Sequence, residues 1–135
     1  MYLNKPSNRL VLISEFKPSM RGFDCEFIVL NCAIPTKLRD GGQVCKFKVS
    51  DKSGSIVLTL WGDSGEFIKP GDILRLEGAE AKLFKNTIFV TTSRYGKIKR
   101  IGENNMIFNE LPFFSEVLWL TEEEHQMRQN ENQPL

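Results

Sequence analysis

The chain has 135 residues, of which 41% are hydrophobic and 26% charged, a balance that fits one packed domain and excludes a disordered, collagen-like or low-complexity chain. Its longest apolar runs, Leu10 to Ile13 and Phe27 to Leu30, fall far short of the roughly 20 residues needed to cross a bilayer, and Met1 to Pro6 has no apolar signal core, so a protein kept inside a cell is expected. The formal charge of +1 conceals a division: residues 1–100 carry 17 Lys and Arg against 10 Asp and Glu, a net +7, whereas residues 101–135 carry 1 against 7, a net −6.

From Asp24 to Val90 apolar residues recur with period two, so the expected domain is all-β. The first strand is expected over Cys25 to Ile34, ending at Pro35, which cannot donate to a ladder. Pro35 to Gly42 then reads as a flexible loop with two cations, Lys37 and Arg39, and a Gly-Gly turn signal. Val44 to Ser50 alternates Cys45, Phe47 and Val49 toward a core with Val44, Lys46 and Lys48 away from it. After a turn at Asp51 to Ser55, the next strand points Ile56, Leu58 and Leu60 inward and Val57, Thr59 and Trp61 outward.

Gly62 to Ile68 is a connector with room for one helical turn, and a strand restarts at Pro70-Gly71-Asp72. Gly78 marks a bulge within it; beyond, Ala79, Ala81 and Leu83 are expected inward and Glu80, Lys82 and Phe84 outward. Lys85-Asn86 is a turn, and the last strand, Thr87 to Ser93, places Ile88 and Val90 inward and Phe89, Thr91 and Ser93 outward. Five strands as two hairpins joined by a short connector match a five-stranded Greek-key barrel of the OB-fold type, with an SH3-like small barrel as the competitor. The expected organisation is an N-terminal extension over 1–12, the barrel over 13–100, an apolar segment over 101–120 and an acidic polar tail over 121–135.

Three cysteines, Cys25, Cys32 and Cys45, form no Cys-x-x-Cys pair and the lone His125 is distant, so buried thiols are expected and neither a disulfide framework, a metal site nor a cofactor. No nucleophile, base or phosphate-cradling glycine motif comes together, which argues against an enzyme. What the pattern does assemble is a set of rings on polar strand faces, Trp61, Phe84 and Phe89, with Lys46, Lys48, Lys82 and Lys85 beside them. Unpaired bases stack on such rings for roughly 1–3 kcal/mol each while cations follow the phosphates, so the expected ligand is single-stranded nucleic acid. The alternative is that the rings are core, or lie beneath the segment Leu10 to Phe16.

Several stretches carry a resemblance: Phe27-Ile28-Val29-Leu30, Val49-Ser50-Asp51-Lys52-Ser53-Gly54-Ser55-Ile56, Ile68-Lys69-Pro70-Gly71-Asp72-Ile73-Leu74-Arg75-Leu76, Phe84-Lys85 and Ile101-Gly102-Glu103. Over about residues 13–116 the chain resembles the DNA-binding subunits of the sensor of single-stranded DNA (SOSS) complex, the simple eukaryotic single-stranded DNA-binding proteins. The resemblance implies a nuclear OB-fold protein that binds single-stranded DNA, serves in the DNA damage response, double-strand break repair and homologous recombination, and docks on a large helical scaffold similar to integrator complex subunit 3 together with a small third subunit. It places stacking aromatics at Trp61 and Phe84 and further DNA contacts at Thr36, Lys37, Lys85 and Arg94.

The chain departs from that family at Thr91, where a Tyr is usual, at Gly62, where an acidic residue is usual, and at Asn104, where an aromatic follows Ile-Gly-Glu. Phe89, on the face of Thr91, is the candidate replacement for the missing ring. Partner contacts are expected at Glu103, Asn104, Phe108, Phe113, Phe114 and Trp119, at the end of the domain opposite the nucleic acid, although the same apolar segment could instead seal the barrel. Two rival readings remain at this point: an RNA-binding OB domain, and an OB scaffold whose aromatic face binds protein.

Overall fold

A computed structural model describes residues 9–116. Six strands follow in chain order: β1 (Arg21–Cys32), β2 (Thr36–Lys37), β3 (Gln43–Asp51), β4 (Gly54–Trp61), β5 (Asp72–Phe84) and β6 (Thr87–Glu103). Their lateral order is β1-β5-β6-β4-β3-β2, and a further β1–β3 pairing closes five of them into a barrel that leaves β2 as an outer edge. β1 serves both halves by bending: its first part pairs with β5 and, from Ile28 onward, it pairs with β3, with a register shift between Val29 and Asn31. β4 and β6 meet in parallel through Val57↔Phe89 and Leu58↔Val90. All-β, five-stranded and closed with one parallel seam, this is the OB-fold barrel that the strand order anticipates.

The core is the inward half of each alternation. Phe27, Val29, Cys45, Phe47, Val49, Ile56, Leu58, Leu60, Leu74, Leu76, Ile88 and Val90 are all buried, the aliphatic and phenyl side chains among them each stabilising the fold by roughly 1.5–3 kcal/mol. One end of the barrel is plugged by the N-terminal segment, where Ile13 and Phe16 are buried and the rings of Phe16 and Phe23 lie 4.8 Å apart. The Ile13 N–H donates to Asp51 Oδ2 at 2.8 Å, which ties this plug to the β3–β4 turn. Leu10 to Phe16 therefore packs on the barrel end and contributes none of the groove-lining side chains described below.

Three expectations about strand limits change. β1 begins at Arg21 and stops at Cys32, leaving Ile34 exposed. The loop expected over Pro35 to Gly42 contains a structured hairpin: β2 pairs Thr36↔Val44 and Lys37↔Gln43, and the Leu38 N–H donates to the Gly42 carbonyl at 2.8 Å. β6 continues ten residues past Ser93 to Glu103, because β5 offers it partners back to Asp72. Gly78 does sit at a register shift, with φ of +71°, and an added Cβ there would lie 3.2 Å from the Gly96 α-carbon, so a side chain would meet main chain. The connector folds as a single 3-10 turn, Gly62–Gly65.

After β6 the chain runs back across the β3–β4 hairpin. The Asn109 N–H donates to the Asp51 carbonyl and the Ser50 hydroxyl donates to the Asn109 carbonyl. The Ser55 N–H donates to the Pro112 carbonyl, and Ser115 Oγ accepts from the Val57 N–H at 2.8 Å while donating to the Ile88 carbonyl at 2.7 Å. Phe114 packs on the core at Gly54, where an added Cβ would lie 2.6 Å from both the Phe114 ring and the Pro112 carbonyl. Gly54 also has φ of +146°, a conformation that costs other residues of order 1–3 kcal/mol. Gly54→Ala is expected to destabilise the domain by at least about 2 kcal/mol, read as a lowered midpoint in urea.

Asp72 opens β5 and is almost fully buried. Burial opposes its ionisation, but the Arg100 guanidinium at 2.9 Å and the Lys69 N–H outweigh it and hold the carboxyl below its usual range. A depressed carboxyl contributes stability above its unfolded pKa, near 3.9, and loses it as pH falls through the folded value. The wild-type melting temperature should therefore fall below about pH 4 more steeply than that of Asp72→Asn, a difference that thermal scans across pH 3–6 would measure.

Candidate nucleic-acid interface

The outward half of the alternation makes a groove of about 520 Å³ on the face formed by β3, β4 and the β5–β6 hairpin. Cross-strand register builds it in rows. Trp61 lies opposite Val44, Thr59 opposite Lys46, and Val57 opposite both Lys48 and Phe89. The β5–β6 turn supplies the facing wall: Lys85 and Asn86 have φ of +51° and +66°, the two left-handed residues of a type I′ turn, so the hairpin stays two residues wide and brings Phe84 opposite Thr87.

Trp61 and Phe84 are exposed by 49% and 57%, large rings left in water as the alternation requires. Phe89 meets Trp61 edge to face, with centroids 6.1 Å apart at 61°, and is itself half-buried. Lys46 Nζ stands 5.7 Å and Lys85 Nζ 5.4 Å from the centroid of the Phe84 ring, so two cations flank the ring most open to solvent. The floor is Val57 and the buried Thr59. A planar, apolar-faced group can lie on Trp61 or Phe84 while an anion beside it meets Lys46 and Lys85, which is the division of labour that a single-stranded polynucleotide requires.

Of the expected contacts, Trp61, Phe84, Phe89 and Lys46 line this groove, and Lys85 reaches it from the turn. Thr36 is exposed and continues the Trp61–Val44 row onto the edge strand. Lys37 alternates to the other side of β2, and Arg39 lies exposed in the β2–β3 turn. Lys48 is on the groove face, but its ammonium is bound by Glu110 Oε1 at 2.8 Å and stands 4.5 Å over the Phe113 ring. Lys82, opposite Phe89 in register, turns from the groove into a neighbouring polar hollow, 3.3 Å from Glu80.

Thr91 is a correction: expected outward, it is only 3% exposed, because β6 is an internal strand flanked by β5 and β4 and a short side chain there does not rise above its neighbours. Leu83 is the reverse case, expected in the core but 43% exposed where the hairpin tip extends beyond the barrel. The side chain of Arg94 and all of Trp119 lie outside the described residues.

The aromatic pair at the C-terminal side is placed differently from expectation. Phe114 packs on the core, and Phe113 lines the groove instead of an opposite end of the domain. The reason is the serine ladder of β3 and β4, which draws residues 109–116 back along the hairpin. Glu103, Asn104 and Phe108 remain exposed. Reasoning from sequence missed Leu38, Phe113 and Ser115 as groove residues and Glu110 as the partner of Lys48; alternation within strands carries no signal for a segment that folds back from outside them.

Comparison with known proteins agrees with the barrel fold. Residues 31–100, more than half of the chain and most of β3 to β6, match a family model described as single-stranded DNA binding protein Ssb-like, OB fold. A curated relative, the single-stranded DNA binding protein Ssb of Saccharolobus solfataricus, is 25% identical over 95 residues, which cover 68% of this chain and 64% of the relative. The chain thus spans a little under two thirds of that relative's length.

Among solved structures, a hypothetical protein from Arabidopsis thaliana superimposes with a TM-score of 0.70 at 21% identity, over 90% of this chain and 91% of that one. A domain of replication protein A from Methanococcus maripaludis superimposes with a TM-score of 0.57 at 22% identity, over 68% of this chain and 97% of that one. Identities this low speak for the shared fold alone. With the family match resting on the strands that build the groove, the chain belongs to the Ssb-like family of OB-fold single-stranded DNA binding proteins.

Proposed function

We propose that this protein binds single-stranded DNA with little sequence preference and catalyses no reaction. The observation that carries the proposal is the open cluster of Trp61, Phe89 and Phe84 with Lys46 and Lys85 poised over the Phe84 ring. Stacking is tolerant of base identity because every base has a π-face, and point-charge ammonium groups follow a backbone without reading it. The family match and the basic body of residues 1–100 support the same reading.

The finer assignment, that of a DNA-binding subunit of a SOSS-like complex acting in the nucleus in double-strand break repair by homologous recombination, rests on the motif resemblance over residues 13–116. On that assignment a large helical scaffold, similar to integrator complex subunit 3, and a small third subunit would be its partners. The scaffold would be met by the exposed residues at and beyond the end of β6, Glu103, Asn104 and Phe108, together with Ile107 and Leu111.

Titration against fluorescent oligo-dT, with oligo-U and duplex DNA as competitors, tests the proposal. Trp61→Ala and Phe84→Ala are each expected to weaken oligo-dT binding by roughly 1–3 kcal/mol with an unchanged melting temperature. Wild-type affinity in both variants would exclude the groove as the binding face, and preferred competition by oligo-U would redirect the reading to RNA. The dependence of log K on log salt should be negative by about 0.7 per phosphate neutralised, and Lys85→Ala should lower the slope by about one such unit.

A further inference from the structure

The groove has one end that is unlike the rest. Beyond Lys46, the next outward lysine on β3 is Lys48, and instead of standing free beside an exposed ring it lies between the Phe113 ring at 4.5 Å and the Glu110 carboxylate at 2.8 Å. An aromatic face and an anionic oxygen are the two chemical groups that a nucleotide would present to the same lysine. The segment that carries them is fixed to the barrel by its backbone and by Ser115, and neither the Glu110 side chain nor the Phe113 ring makes those anchoring bonds.

Resting on the reading of the groove as a single-strand site, we propose that Glu110 and Phe113 form an internal end-stop, occupying the next nucleotide position and setting how many nucleotides the groove admits. Glu110 satisfies Lys48 so that Lys48 neutralises no phosphate, and its remaining lone pairs repel a strand that would continue past Val57. The ligand is thereby directed toward the open side of the groove, where Leu38 and the β5–β6 tip stand. Glu110 is a specificity-determining residue for length: what it rejects is further backbone, whatever the bases.

Oligo-dT of increasing length, titrated at several salt concentrations against the wild type, Glu110→Gln, Lys48→Gln and the double variant, tests the assignment. Lys48→Gln alone, which leaves the Glu110 carboxylate uncompensated, should bind no more tightly than the wild type and should not lengthen the shortest oligonucleotide that saturates affinity. Glu110→Gln should free Lys48, raise the slope by about 0.7, tighten binding roughly fivefold at about 0.1 M salt and lengthen the shortest oligonucleotide that saturates affinity. The double variant should return to wild-type slope, which separates release of Lys48 from a mere loss of negative charge. A double variant that binds more weakly than the wild type with a reduced slope would overturn the inference, since Lys48 would then already contact phosphate; so would a Glu110→Gln variant indistinguishable from the wild type. In both of those results the wild type binds, so the single-strand reading survives; absence of wild-type binding would overturn both.

Discussion

The barrel depends on a short parallel seam. β4 and β6 pair directly through Val57↔Phe89 and Leu58↔Val90, and the adjoining gap is spanned by a single side chain, Ser115, which accepts from the Val57 N–H and donates to the Ile88 carbonyl. A buried N–H or carbonyl left without a partner costs about 1–3 kcal/mol. Ser115 therefore does for the seam what a further ladder bond would do, from a residue that is not in a strand. The seam also shapes the groove: by bringing β6 beside β4 it sets Phe89 against Trp61, two rings from strands that are not neighbours in sequence.

Much of this was legible in the chain because barrels are built from alternation. Ile56, Leu58 and Leu60 inward with Trp61 outward, the bulge at Gly78 and the turn at Lys85-Asn86 all follow from period two and from turn chemistry, and all are present. Where alternation alone decides, it fails at the ends and centre of the sheet. Leu83 is on the core side of the pleat but beyond the core's edge, while Thr91 is on the outer side but too short and too central to reach solvent. Neither outcome is a property of the local pattern; each depends on where the neighbouring strands stop.

The least legible part was the segment after β6, where composition suggested an apolar patch at a separate end of the domain. Consecutive rings there have opposite fates, Phe114 on the core at Gly54 and Phe113 in the groove wall. Charge misled in the same way. Glu110 belongs by sequence to the acidic 101–135 region, yet in space it neutralises a lysine of the basic body.

Because Phe113 and Phe114 are adjacent in the chain and divided between groove and core, the shape of the groove and the integrity of the barrel are thermodynamically linked. A ligand that packs against the Phe113 wall binds only molecules in which Phe114 and Ser115 are already docked, and by mass action it stabilises that docking by RT ln(1 + [L]/Kd). The closing of the seam and the filling of the groove are then two readouts of one equilibrium: hydrogen exchange at the Val57 amide, which is bonded to Ser115, would slow as the groove is occupied, although no ligand atom need touch that amide.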